Sequence, residues 1–135
     1  MTNVQIIDVS KPATVEIFVN FLCRELKIKP SSITVTSFES DDCYGLCYDQ
    51  TEKDYVIYVK EQDRNIGEIF TTIAHEMIHV KQYMKENLGW FVDNRSYIPY
   101  LERWWEKEAF SGAVPLVEKF IKTLQVAVDI NPETV

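Results

Sequence analysis

The chain has no cluster of lysine and arginine: 14 basic residues are scattered among 21 acidic ones, for a formal charge of −7. Phosphate binding needs a concentrated basic footprint, so nucleic acid is not expected as a partner. An acidic surface instead favours basic or neutral peptides over acidic ones. No apolar run approaches the ~20 residues that span a bilayer, so no membrane partner is expected. The first ten residues, Met1 to Ser10, lack the basic and apolar regions of a signal peptide, and a cytoplasmic location follows as the expectation. Cysteines are few and odd in number: Cys23, Cys43 and Cys47. Reduced thiols fit that count better than disulfides. Cys43 and Cys47 flank Tyr44-Gly45-Leu46, but without a second pair they make a poor structural zinc site and read as strand or buried thiols. Histidine is scarcest of all, with only His75 and His79.

At 135 residues, 46% of them hydrophobic and 13% aromatic, the chain has the material for one core. A single domain over residues 1–135 is expected, acting as a monomer. Thr14 to Lys27 carries apolar residues at 15, 18, 19, 22 and 26, one helical face, with Pro12 at its start and Pro30 beyond its end. Three β-like runs follow, Ile33 to Phe38, Tyr44 to Tyr48 and Tyr55 to Lys60. Polar breaks at 39–42 and 49–54 read as hairpin turns. A small three-stranded antiparallel sheet is the economical arrangement, and the fold class is α+β.

From about Asn65 to Leu88 runs the longest helical pattern, with Gly89 as its expected C-terminal cap. Ile66, Ile69, Phe70, Ile73, Met77, Val80 and Met84 gather on one stripe, which must face the core. A further helix is expected from near Pro99 to Ser111, interrupted by Gly112, and a last one from Val114 to about Val128, ending before Asn131-Pro132.

In the middle of the long helix stands His75-Glu76-Met77-Ile78-His79, an H-E-x-x-H motif. Residues four apart lie one turn above each other, so both imidazoles can reach one cation. Glu76 projects to their flank, where it can hold a water. The plainer alternative is two histidines that fall four apart by chance. Against it, both lie roughly opposite the core stripe, and the chain has no others to place.

A catalytic zinc takes three protein ligands and keeps a fourth position for water. With no third histidine, and with Gln82 and Lys85 where H-E-x-x-H-x-x-G-x-x-H would require Gly and His, a carboxylate must complete the set. Glu86 is on the same face but about 10 Å along the axis from His79, too far for the same ion. The next helix carries Glu102, Glu106 and Glu108, any of which alone could be a solvated surface charge.

There Trp105-Glu106-Lys107-Glu108-Ala109 follows a W-E-x-E-A pattern. With the H-E-x-x-H helix, it resembles the gluzincins, metallopeptidases completed by a glutamate on a following helix. The likeness is greatest to minimal, single-domain, phage-type members, and it covers His75 to about Ala109. It implies a zincin-like domain and a zinc ion held by His75, His79 and Glu106, with Glu108 as the alternative third ligand and Glu102 or Asp93 as outsiders. Glu106, Ala109 and Ala113 would share a face whose small residues let two helices approach closely. The chain departs from the family at Phe110, where many members place an Asp or Asn that supports a histidine. Support would then come from another carboxylate or a backbone carbonyl.

The activity implied is zinc-dependent hydrolysis of a peptide or protein substrate. Glu76 would serve as general base toward the zinc-bound water and then as proton donor to the leaving amine. Tyr97 and Tyr100 are candidate oxyanion donors by position alone, but packing or rim roles describe these tyrosines, Trp104 and Trp105 better. The resemblance also implies an edge strand that pairs with substrate, for which Tyr55 to Lys60 is the candidate. The rival reading is a non-catalytic, zinc-stabilised interaction module. A purely structural site has no use for Glu76 beside its histidines.

Overall fold

Strand pairing in this chain is dominated by contacts between segments distant in sequence. The computed structural model describes residues 2–130, with side-chain surroundings as far as Gln125. In chain order the elements are β1 (Asn3–Ile7), α1 (Pro12–Leu26), β2 (Ser32–Ser37), β3 (Gly45–Thr51), β4 (Asp54–Val59), α2 (Ile66–Lys85), α3 (Leu88–Arg95), a single 3-10 turn at Tyr100–Glu102, and α4 (Trp104–Ile130). The α+β class holds, but the sheet differs from expectation.

It has four strands in the order β1-β2-β4-β3, and it is mixed. β1 runs parallel to β2, β2 parallel to β4, and only β3 is antiparallel to its neighbour. The three-stranded antiparallel arrangement is therefore corrected on two counts. β1 joins as an extra strand because α1 supplies the long crossover a parallel pair needs. The break at 39–42 is not a hairpin turn, since β2 passes over β3 to pair with β4. A hairpin does join β3 to β4, closed by Glu52-Lys53. Of the candidate Tyr55 to Lys60, all but Lys60 lies on β4, an inner strand paired on both sides, and so is no edge strand. Among the described strands the edges are β1 and β3, and β3 is the one that lies against the motif helix.

One face of the sheet presents Ile33, Val35, Ile57 and Val59, all 0% exposed, to the helices. Across from it Phe18 of α1 stacks on Phe70 of α2 at 4.6 Å, and Phe120 of α4 closes on Phe18 at 4.8 Å. Offset aromatic contacts of this kind add to the transfer free energy of burying the rings, so this cluster ties three helices to one core.

α2 begins where the sequence places it. Asn65 Oδ1 accepts from the Glu68 amide (2.8 Å) and Glu68 Oε1 accepts from the Asn65 amide (3.0 Å), a reciprocal capping box. Its end comes earlier than expected. Lys85 is the last helical residue, Glu86 the C-cap, and Asn87 takes the left-handed conformation (φ 57°). Asparagine tolerates that region, so Asn87 does the work assigned to Gly89, which lies inside the unforeseen α3.

The two C-terminal helices of the sequence reading are one, α4, which continues through Gly112 and Pro115. Gly112 serves packing instead of interruption: a Cβ there would stand 2.9 Å from Ile78 Cδ1 of α2. With Ala109 and Ala113 buried on the same side, α4 comes close enough to bring its first turn against the middle of α2. The stop expected at Asn131-Pro132 lies outside the described residues.

Candidate metal centre

α2 is covered on nearly every side, and the side opposite its core stripe meets α4 and β3. His75, Glu76 and His79 are accordingly buried, at 9%, 7% and 6% exposure. Glu106, in the first turn of α4 and 8% exposed, meets them. One of its oxygens, Oε1, lies 3.0 Å from His75 Nε2 and 3.0 Å from His79 Nε2. The three ligand atoms fall within 4.8 Å of one another, and this is the one such group of three or more residues among those described. Glu106 is thus the carboxylate the helices bring to the histidines. Glu108 is turned away to Gln82 and Lys81, and Glu102 and Asp93 are exposed and outside the cluster.

The donor set fits a small divalent cation. Tetrahedral sites with bonds of about 2.0–2.2 Å hold their ligand atoms roughly 3.3–3.5 Å apart, close to the spacing around Glu106. Without a cation, the same carboxylate oxygen serves as common acceptor for both rings. Burial pushes the Glu106 carboxyl upward, but the hydrogen bonds from His75 and His79 outweigh it and hold the group at about 2. Position in the first turn of a helix favours the same charge. Burial pulls the His79 imidazole down, yet its bond to Glu106 and the nearby Glu76 charge leave it raised.

Glu76 has the opposite character. Burial lifts its carboxyl to about 7 against the lowering influence of His79 and His75, with Glu106 adding to the rise. It lies against the edge strand: a Cβ on Gly45 would be 3.2 Å from Glu76 Oε2 and 2.5 Å from Thr72 Cγ2. Glycine is what permits β3 to pass this near to α2.

A cavity of about 750 Å³ opens over the group, between β3 on one side and α3, the 3-10 turn and α4 on the other. Its wall includes Gly45, Cys47, Tyr83, Leu88, Tyr100 and Phe110 beside His75, His79, Glu106 and Glu76. Tyr44, Tyr100 and Phe110 on that wall are 63%, 47% and 54% exposed, so the cavity reaches solvent. Tyr100 is raised by burial and by the charges of Glu106 and Glu76, and its phenol stays protonated. Tyr97, the other tyrosine singled out, is 77% exposed and is not part of the wall.

Cys43 and Cys47 line the cavity as free thiols, and Cys23 is a free thiol in the core. Burial pushes the Cys47 thiol well up, with Glu76 and Asp49 adding to the effect. A protonated thiol is a poor metal ligand, in keeping with its absence from the cluster.

Phe110 meets the His75 ring edge-on at 4.6 Å instead of offering it a carboxylate. Support for the other histidine comes from neither a carboxylate nor a backbone carbonyl, as had been expected, but from an amide. His79 Nδ1 donates to Gln82 Oε1 at 2.7 Å. Sequence reasoning passed over Gln82 and Tyr83; the available signal was their position three and four residues past His79, on the helix face that carries the site.

The chain matches no family model, no curated protein and no solved structure.

Proposed function

We propose that the chain is a zinc-dependent endopeptidase of gluzincin type, with a zincin-like fold and Glu76 as its general base. The observation that carries the reading is a single carboxylate oxygen of Glu106 lying 3.0 Å from the Nε2 atoms of both motif histidines, on the wall of a solvent-open cavity. Two imidazoles and one carboxylate are a donor set suited to zinc, with His75, His79 and Glu106 as its ligands.

When bound, zinc would supply Lewis acidity and a water acidified toward neutrality. The remaining chemistry belongs to the chain. Glu76, poised near neutral pH, accepts a proton from the attacking water and returns it to the leaving amine. Tyr100, beside Glu106 and protonated, is placed to donate toward an oxyanion. Among the described residues β3 pairs with β4 alone, and its outer edge would pair with an extended peptide backbone. Its Gly45 brings that edge next to Glu76. The test is cleavage of an unfolded protein by the zinc-loaded chain, lost on chelation, restored by zinc and lost again in Glu76→Gln.

A further inference from the structure

Gln82 is 0% exposed, and each polar atom of its side chain is engaged. Oε1 accepts from His79 Nδ1 at 2.7 Å, while Nε2 donates to the Trp105 carbonyl and to Glu108 Oε1, both at 2.9 Å. Glu108 is itself gripped by Lys81 at 2.9 Å, and Lys81 pairs with Glu86 at 2.7 Å. We propose that Gln82 is a positioning residue for the metal ion, aimed by Glu108, and that Glu108 is therefore an anchor of the site and not a ligand.

This rests on the metal reading above, and two features of the geometry support it. First, the amide can point only one way. Flipped, its oxygen would face the Trp105 carbonyl and the Glu108 carboxylate, an acceptor against two acceptors. With the amide fixed, Oε1 accepts only, so His79 must carry a proton on Nδ1. With Nδ1 committed as the donor, Nε2, the atom that faces Glu106, is the one left to offer a lone pair when a cation replaces the proton between them. Second, the amide touches both ligand-bearing helices. It holds His79 of α2 by one end and the carbonyl of Trp105, the residue before Glu106, by the other. One buried side chain thereby sets where the second histidine stands relative to the carboxylate ligand, as ordered metal sites require. A lone polar residue in a core position would be costly without such partners, and full satisfaction is what makes a buried amide specific.

The experiment is a chelator-competition titration with zinc alone on wild type, Gln82→Leu, Glu108→Gln and the exchange Gln82→Glu with Glu108→Gln, with melting of each metal-free protein alongside. Gln82→Leu is expected to weaken zinc binding about 10- to 100-fold, the usual effect of losing a ligand's hydrogen-bond partner. Glu108→Gln, altering a side chain that is partly exposed, should weaken it less while leaving metal-free melting nearly unchanged. The exchange returns an acceptor to His79 Nδ1 and a donor from position 108, but leaves the Trp105 carbonyl without its donor, and should recover part of the loss. Wild-type affinity in Gln82→Leu would overturn the proposal and leave the metal reading standing. If Gln82→Leu does not fold, the exchange decides: recovered affinity supports the role, and affinity as poor as that of Glu106→Ala overturns it. A wild type that binds no zinc would refute the metal reading and this inference together.

Discussion

A Cβ placed on Gly45 would come within 3.2 Å of Glu76 Oε2, so the edge strand and the acid of the motif are in direct packing contact. Even the smallest enlargement should be felt there. The added methyl in Gly45→Ala would also meet Thr72 Cγ2 at 2.5 Å and the Tyr58 carbonyl at 3.1 Å, contacts that force β3 outward. Overpacking of this kind costs about 1–3 kcal/mol. Denaturant midpoints should fall accordingly, and proteolytic turnover should fall further than zinc affinity, because the displaced group is Glu76 and not a ligand.

Glu76→Gln keeps the size of the side chain and removes its ability to take a proton. Zinc content should be unchanged, while turnover of an unfolded substrate drops by about 10²–10⁴-fold, the range general base catalysis supplies. Undiminished cleavage would assign the chemistry to another group.

The two glutamates of α4 should separate cleanly. Glu106→Ala removes the oxygen shared by His75 and His79 and should weaken zinc binding far more than Glu108→Ala. The reverse ranking in a metal-binding titration would transfer the ligand role to Glu108.

Stability of the metal-free protein should peak at mildly acidic pH. Glu76 is raised from an ordinary value of 4.5 to about 7, so its contribution is complete below about 4.5 and is lost as pH rises through 7. His79, also raised, loses its contribution in the same direction, above its usual 6.5. Glu106 is lowered to about 2 and acts oppositely: its stabilisation is present above 4.5 and is lost as pH falls toward 2. Thermal melting in the presence of a chelator should therefore decline on both sides of roughly pH 4.5, on the alkaline side chiefly between about 4.5 and 7. Glu76→Gln should flatten the alkaline limb, raising stability at pH 8 by on the order of 3 kcal/mol.

Those expectations draw on features of unequal visibility in the sequence. The α2 start near Asn65 and the metal motif were legible because helical periodicity and i, i+4 spacing are local patterns. Glu106 could be singled out because a short signature surrounds it. Sheet order could not be read: β1 pairs with β2 across a whole helix, and parallel pairing leaves no turn signal between partners. Gly112 looked like a helix end because its reason for being small, Ile78 of a different helix, is visible only in three dimensions. Gln82 read as a mismatch to a longer motif, since an amide's purpose depends on what stands at its two ends.

The central claim is that His75, His79 and Glu106 hold one zinc ion. Elemental analysis of protein purified without chelator and dialysed against zinc, beside a His75→Ala/His79→Ala control, tests it most directly. One zinc per chain is expected in the wild type and essentially none in the control. Equal zinc in the two, or none in a folded wild type, would contradict it.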